Sequence, residues 1–148
     1  MGPIKLFFDT HLSNYKLKHI STALIETIFG RSANKNEKKV FLNINSCNFN
    51  VLILENGLKF FNTFDFQNEE DILYYTLFAC EQSGVDVQSD MLELAGEFEA
   101  GSGVHKLMSQ YVKNISFAVT EKGIARGEIF KKIPHHYYFN LLNRFVCG

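Results

Sequence analysis

Only three cysteines occur in the 148-residue sequence, Cys47, Cys80 and Cys147, and no two of them form a CxxC pair. The odd count and the spacing exclude a disulfide framework and predict a reducing, cytoplasmic compartment. Long apolar runs are missing as well. None approaches the roughly 20 residues that a membrane helix needs. Net charge is nearly absent, at -1, so no long-range field draws the chain to nucleic acid or to an acidic membrane. Lysines cluster at Lys35, Lys38 and Lys39, and at Lys131 and Lys132, in sequence that reads as solvated loop. Lipidation signals fail too. Leu6 stands where a myristoylation signal needs Ser or Thr, and Cys147-Gly148 is two residues short of a prenylation box. Asn114-Ile115-Ser116 matches a glycosylation sequon, which a cytosolic protein does not use.

What is present suits one globular core. The hydrophobic share is 46% and the charged share 21%, ordinary values for a soluble domain of this length. Residues 1–38 read as a lead-in. Residues 4–12 are apolar and helical, with a strand through 6–8 as the alternative, and 15–20 alternate weakly as a strand. Ser21 caps a short helix carrying Leu24, Ile25, Ile28 and Phe29, and Gly30 stops it. Residues 31–39 are polar and form the natural boundary, leaving 39–148 as the domain.

That domain opens with strands at 40–45 and 49–55, the second apolar on both faces and therefore interior. Asn56-Gly57 is a strong hairpin signal, since both residues tolerate the positive φ of a type I′ turn. The third strand is 58–66, with Leu58, Phe60, Asn62, Phe64 and Phe66 on one face. The crowd of Phe60, Phe61, Phe64 and Phe66 on a probable edge fits two readings: packing beneath helices, or a surface awaiting a partner. Asn68 caps a helix whose first turn carries Glu69, Glu70 and Asp71, at the positive end of the helix dipole. Ile72, Leu73, Tyr75, Leu77, Phe78 and Cys80 nearly encircle it, which predicts deep packing, and Gly84 ends it. A strand at 91–95 and a glycine-bearing loop at 96–103 follow. Val104, Leu107, Met108 and Tyr111 then make an amphipathic stripe. A fifth strand spans 115–119, and 120–133 is irregular. Pro134 opens a last helix with the stripe Tyr138, Leu141, Leu142 and Phe145. The order βββαβαβα gives an α/β fold of ribonuclease H-like topology: a mixed five-stranded sheet with the first strand beside the fourth.

Nucleases of that topology hold two metal ions with carboxylates on the first strand, the first helix and the fourth strand. Here the first strand offers Asn43 and Asn45, and the fourth offers only Glu93. A neutral amide does not balance metal charge, which argues against a nuclease. Actin-like ATPases cradle phosphate in the turn between the first two strands. That turn is Asn45-Ser46-Cys47-Asn48, without Gly or Asp. Ser46 and Asn48 can donate to an anion, and they are equally good as plain turn residues, the favoured reading. Ala95-Gly96-Glu97, then Gly101-Ser102-Gly103 before a helix, is a second candidate anion seat. Its structural reading is a tight turn at Gly96 and an N-cap at Ser102. His135 and His136 are adjacent with no acidic or cysteine ligand near in sequence, so a helix start is favoured over a metal site. His19 and His105 have no partner readable from sequence. Cys47 and Cys80 have no paired base in a local motif and read as turn and core thiols.

Three stretches carry a resemblance: 58–78 (LKFFNTFDFQNEEDILYYTLF), 93–118 (ELAGEFEAGSGVHKLMSQYVKNISFA) and 141–148 (LLNRFVCG). Together they resemble the C-terminal half of the bacterial domain of unknown function 3822 family, and Lys18-His19-Ile20-Ser21 resembles the junction from the first half. The resemblance implies an actin-like ATPase fold of two ribonuclease H-like halves, with nucleotide (ATP with magnesium) between them. It implies no activity. Matched by position, Asn45, Ser46, Cys47 and Asn48 take the phosphate turn, and Ala95, Gly96 and Glu97 the adenosine-side turn. The candidate nucleotide contacts are therefore Asn45, Ser46, Asn48, Gly96, Glu97 and Ser102, with no catalytic or metal-binding residue. The acidic and paired glycine residues of active members of that fold are absent. The expectation is a non-catalytic interaction or scaffold module. The alternative is the nucleotide-binding half of an ATPase or phosphotransferase whose catalytic residues lie in the N-terminal half, which this chain is expected to lack. The expected partner is that N-terminal half or another protein chain.

Overall fold

The computed structural model describes residues 20–31, 37–119, 133–137 and 139. The expectations for 4–12, 15–19, Lys35, 120–132 and the stripe at Tyr138, Leu141, Leu142 and Phe145 lie outside these residues. Helix α1 is Ile20–Arg31, followed by strands β1 (Lys39–Ile44), β2 (Asn48–Leu54) and β3 (Leu58–Asp65). Then come α2 (Glu69–Gln82), β4 (Met91–Gly96), α3 (Gly103–Tyr111) and β5 (Asn114–Phe117). Among the described residues no helix is long and apolar enough to cross a membrane.

The strands form one mixed sheet in the order β3-β2-β1-β4-β5. β1 pairs antiparallel with β2 and parallel with β4, with Val40 opposite both Ile53 and Leu92. The period of two along each strand divides the core between two faces. Val40, Leu42, Ile44, Phe49, Val51, Leu92 and Leu94 meet Ile72 of α2 and Val104 and Met108 of α3. Phe41, Leu52, Leu54 and Ala95 meet Leu24 and Ile28 of α1, together with Phe139. Helix α1, read as lead-in, thus covers one face of the sheet.

Several local expectations are corrected. Helix α1 runs through Gly30 and begins before Ser21, since a glycine in a helix interior costs only about 1 kcal/mol and tertiary packing outweighs it. Lys39 lies within β1 and pairs with Glu93 at 2.5 Å, while Lys38 donates to the Gly84 carbonyl at 2.6 Å. Neither is a free loop lysine. The hairpin at Asn56 and Gly57 forms, with φ of 56° and 145°. Leu54 pairs with Leu58, however, so three residues make the connection and the register shifts there. Phe60, Phe64 and Phe66 pack under the helices and Phe61 packs on the other face, which favours the packing reading of the edge-strand phenylalanines. Helix α2 is not deeply packed all round: Tyr74 and Phe78 lie exposed. Tyr111 closes its predicted stripe on the exposed side, and β5 ends at Phe117 with Val119 exposed.

Candidate functional site

In open α/β sheets ligands sit beyond the carboxyl ends of parallel strands, where neighbouring connections diverge. Here that place is the end of β1 and β4, which run parallel with Ile44 opposite Gly96. The chain leaves β1 through Asn45, Ser46 and Cys47, and leaves β4 through Glu97 and Phe98. The Glu97 amide donates to the Ile44 carbonyl at 2.7 Å. Both candidate turns therefore meet at one end of the sheet.

The first turn is wired with neutral amides. Asn43 is fully buried. Its Nδ2 donates to Asn45 Oδ1 at 3.1 Å and to Asn50 Oδ1 at 3.3 Å. Asn45 Nδ2 donates to Asn48 Oδ1 at 2.9 Å, and Asn50 Nδ2 to Thr63 Oγ1 at 2.8 Å. The Asn45 backbone amide donates to the Asn48 carbonyl at 2.8 Å, closing the turn. The amide donors of Asn43 and Asn45 are thus spent within the turn, whereas Asn48 enters it as an acceptor. Asn43 Oδ1 is buried and accepts no hydrogen bond among the described residues. Ser46 and Cys47 are exposed at the tip.

The second turn depends on Gly96. Its φ is +111°, and a Cβ there would lie 1.9 Å from the Ile44 carbonyl oxygen. Only glycine lets the two backbones approach so closely. The Gly96 amide donates to the His136 carbonyl at 2.7 Å. The His136 ring is buried, stacks on Phe98 with centroids 4.6 Å apart, and sets Nε2 2.9 Å from the Phe98 carbonyl. His136 is therefore a core residue that pins this loop. Its pairing spans 38 residues of sequence, and no local pattern could have revealed it. His105 also gains a partner: its Nδ1 accepts from the Gly101 amide at 3.0 Å.

Ser102 occupies the N-cap position of α3 but makes no side-chain cap bond. Its Oγ is buried without a hydrogen-bond partner among the described residues. The Glu69 carboxylate lies against Gly103, where it would clash with any Cβ. A carboxylate of the chain itself thus stands beside the helix end that is the second candidate anion seat, and negative charge is favoured there.

The structure brings Asn45, Ser46, Asn48, Gly96 and Glu97 to one end of the sheet, with Ser102 at the far end of the second loop. Glu97 is exposed. The carboxylate nearest in strand register, Glu93 on β4, is buried and paired with Lys39. No three His, Cys, Asp or Glu side chains among the described residues group so as to hold a metal ion. Magnesium prefers anionic oxygen ligands, and the amides at this end of the sheet supply none. Of the thiols, Cys47 is exposed and Cys80 buried. Burial, helped by Asp90, pushes the Cys80 thiol up to about 11, so it is an inert core group.

A mixed sheet in this order, covered by helices on both faces, is the ribonuclease H-like unit that actin-like ATPases use twice. A solved structure from Bacteroides thetaiotaomicron, described as a protein with actin-like ATPase fold and unknown function, superposes with a TM-score of 0.75 at 16% identity. The superposition covers 98% of this chain and 51% of that one, so this chain spans about half its length. At that identity the likeness speaks for the fold alone. The chain belongs to the family described as Protein of unknown function (DUF3822), whose sequence model matches residues 3–115. That match takes in the lead-in and stops within β5. No curated protein matches the chain.

Proposed function

We propose that this chain is a non-catalytic module of actin-like fold that serves as a protein-interaction or scaffold domain. One observation carries the reading: the carboxyl end of β1, where such a fold would bind metal and phosphate, is closed by a network of amides. Asn43, Asn45, Asn48 and Asn50 bond to one another. They offer a cation no charge, and the Asn43 and Asn45 side-chain donors are committed to neighbouring amides. The pairing of Glu93 with Lys39 removes a further candidate metal ligand. The alternative, a nucleotide-binding half of an ATPase or phosphotransferase, draws on Asn43 Oδ1, a buried acceptor unsatisfied among the described residues.

Thermal melting of the full-length protein with and without Mg-ATP separates the two. A ligand at about 100 times its dissociation constant adds about 2.7 kcal/mol, which moves Tm by roughly 5 °C or more. The expected result is no shift at millimolar Mg-ATP. A shift of that size overturns the non-catalytic reading.

A further inference from the structure

The outer face of α2 combines aromatic rings with charge of one sign. Tyr74 is 65% exposed and Phe78 44% exposed. Four residues apart, they lie on one stripe of the helix. Glu70 precedes that stripe by one turn and Glu81 follows it, both exposed. The helix carries four carboxylates (Glu69, Glu70, Asp71 and Glu81) and no Lys, Arg or His. Its inner face is already committed to the core through Ile72, Leu73, Thr76, Ala79 and Cys80. The exposed rings are therefore not needed to hold the helix in place.

Tyr74 also stands at the end of a row of rings. It meets Tyr75 edge-on at 5.3 Å, Tyr75 stacks on Phe64 at 4.6 Å, and Phe64 meets Phe49 at 5.6 Å. Phe49 is fully buried. A row of rings thus runs from the core to the surface and ends at Tyr74. A tyrosine brings a large ring on only two side-chain torsions, so it loses little freedom when covered, and tyrosine is enriched among the residues that anchor interfaces.

Charge selects the partner. Two copies pairing through antiparallel α2 helices would set Glu70 of one against Glu81 of the other, and like charges repel. Anionic lipid and nucleic acid meet the same repulsion. A polypeptide with apolar residues flanked by Lys or Arg satisfies both the rings and the carboxylates. We propose that the face of α2 bearing Glu70, Tyr74, Phe78 and Glu81 docks a basic, amphipathic segment of another protein, with Tyr74 as the central anchor. The proposal rests on the interaction-module reading and gives it a surface and a partner chemistry.

The test is an NMR titration of the full chain with a synthetic leucine–lysine amphipathic peptide and with its leucine–glutamate counterpart. Shifts centred on α2 are expected with the lysine peptide only. Tyr74→Ser should weaken binding about tenfold or more. Glu70→Gln with Glu81→Gln should weaken it and flatten its salt dependence. Shifts centred elsewhere, an unchanged affinity in Tyr74→Ser, or no binding overturns the proposal. So does a concentration-dependent dimer in sedimentation that Tyr74→Ser abolishes, because that assigns the face to a second copy. The Mg-ATP melt reads a separate end of the sheet, so either idea can fail without the other.

Discussion

Asn43 shows how one side-chain group shapes what this fold can do. It sits on β1 opposite Asn50 and Ala95, fully buried, with both amide protons engaged. An amide suits that place because it donates twice at no cost in charge burial. A carboxylate there would lose its solvation, and its pKa would rise. Asn43→Asp is therefore expected to destabilise the protein by about 3 kcal/mol at neutral pH. The folded-state pKa lies above the unfolded value. The protonated form therefore retains stability below the unfolded pKa, and that stability is lost as pH rises through the folded pKa. Urea melts at pH 4 and pH 7 measure the difference, with the smaller loss expected at pH 4. Recovery at pH 7 on adding magnesium would mean that this end of the sheet can be turned into a metal site by one charge, and would count against the non-catalytic reading.

The strands and helices were legible where the signal is local. Short apolar runs bounded by turn residues located β1 to β5, and Asn68 with its acidic followers announced the start of α2, where the Asn68 side chain accepts from the Asp71 amide at 2.9 Å. Periodicity was blind to which apolar residues would be covered. It counted Phe78 with Ile72 and Leu73, yet among the described residues Phe78 stays exposed while Leu73 is buried in the core. The candidate site was half legible. The amides of the first turn could be read in order, but their mutual bonding depends on β1 and β2 lying side by side. Gly96 was read as a tight turn, and the structure adds the stronger reason, contact with the Ile44 backbone. Gly96→Ala forces a Cβ into that carbonyl and a side-chain-bearing residue into positive φ. The expected loss is about 2–5 kcal/mol, from backbone strain and overpacking together. Gly101→Ala is the control: its φ is also positive, at +83°, but the space around it is open. A chemical-denaturation midpoint that falls no further for Gly96→Ala than for Gly101→Ala would disprove the close contact between β1 and β4.

How far the chain coheres as one body turns on α1. Element order alone led to the mixed sheet and the β1–β4 neighbourhood, because few topologies join three strands by tight turns and two more by helices. It gave no reason to count α1 in the core, since a polar stretch separates that helix from β1 and polar stretches read as linkers. The packing motivates a test of that boundary. Leu24 and Ile28 are buried against Phe41, Leu52, Leu54 and Ala95, on the face that α2 and α3 leave open. A sheet with one bare apolar face would not be stable in water, so α1 is expected to unfold together with β1. Ile28 is 2% exposed, and Ile28→Ala should cost about 2–4 kcal/mol. The decisive feature is the shape of the unfolding curve. One transition, moved as a whole to lower urea with an unchanged slope, is expected from circular dichroism and fluorescence alike. An early step that melts α1 alone, with the remaining transition left where it was, would instead make residue 38 a true domain boundary.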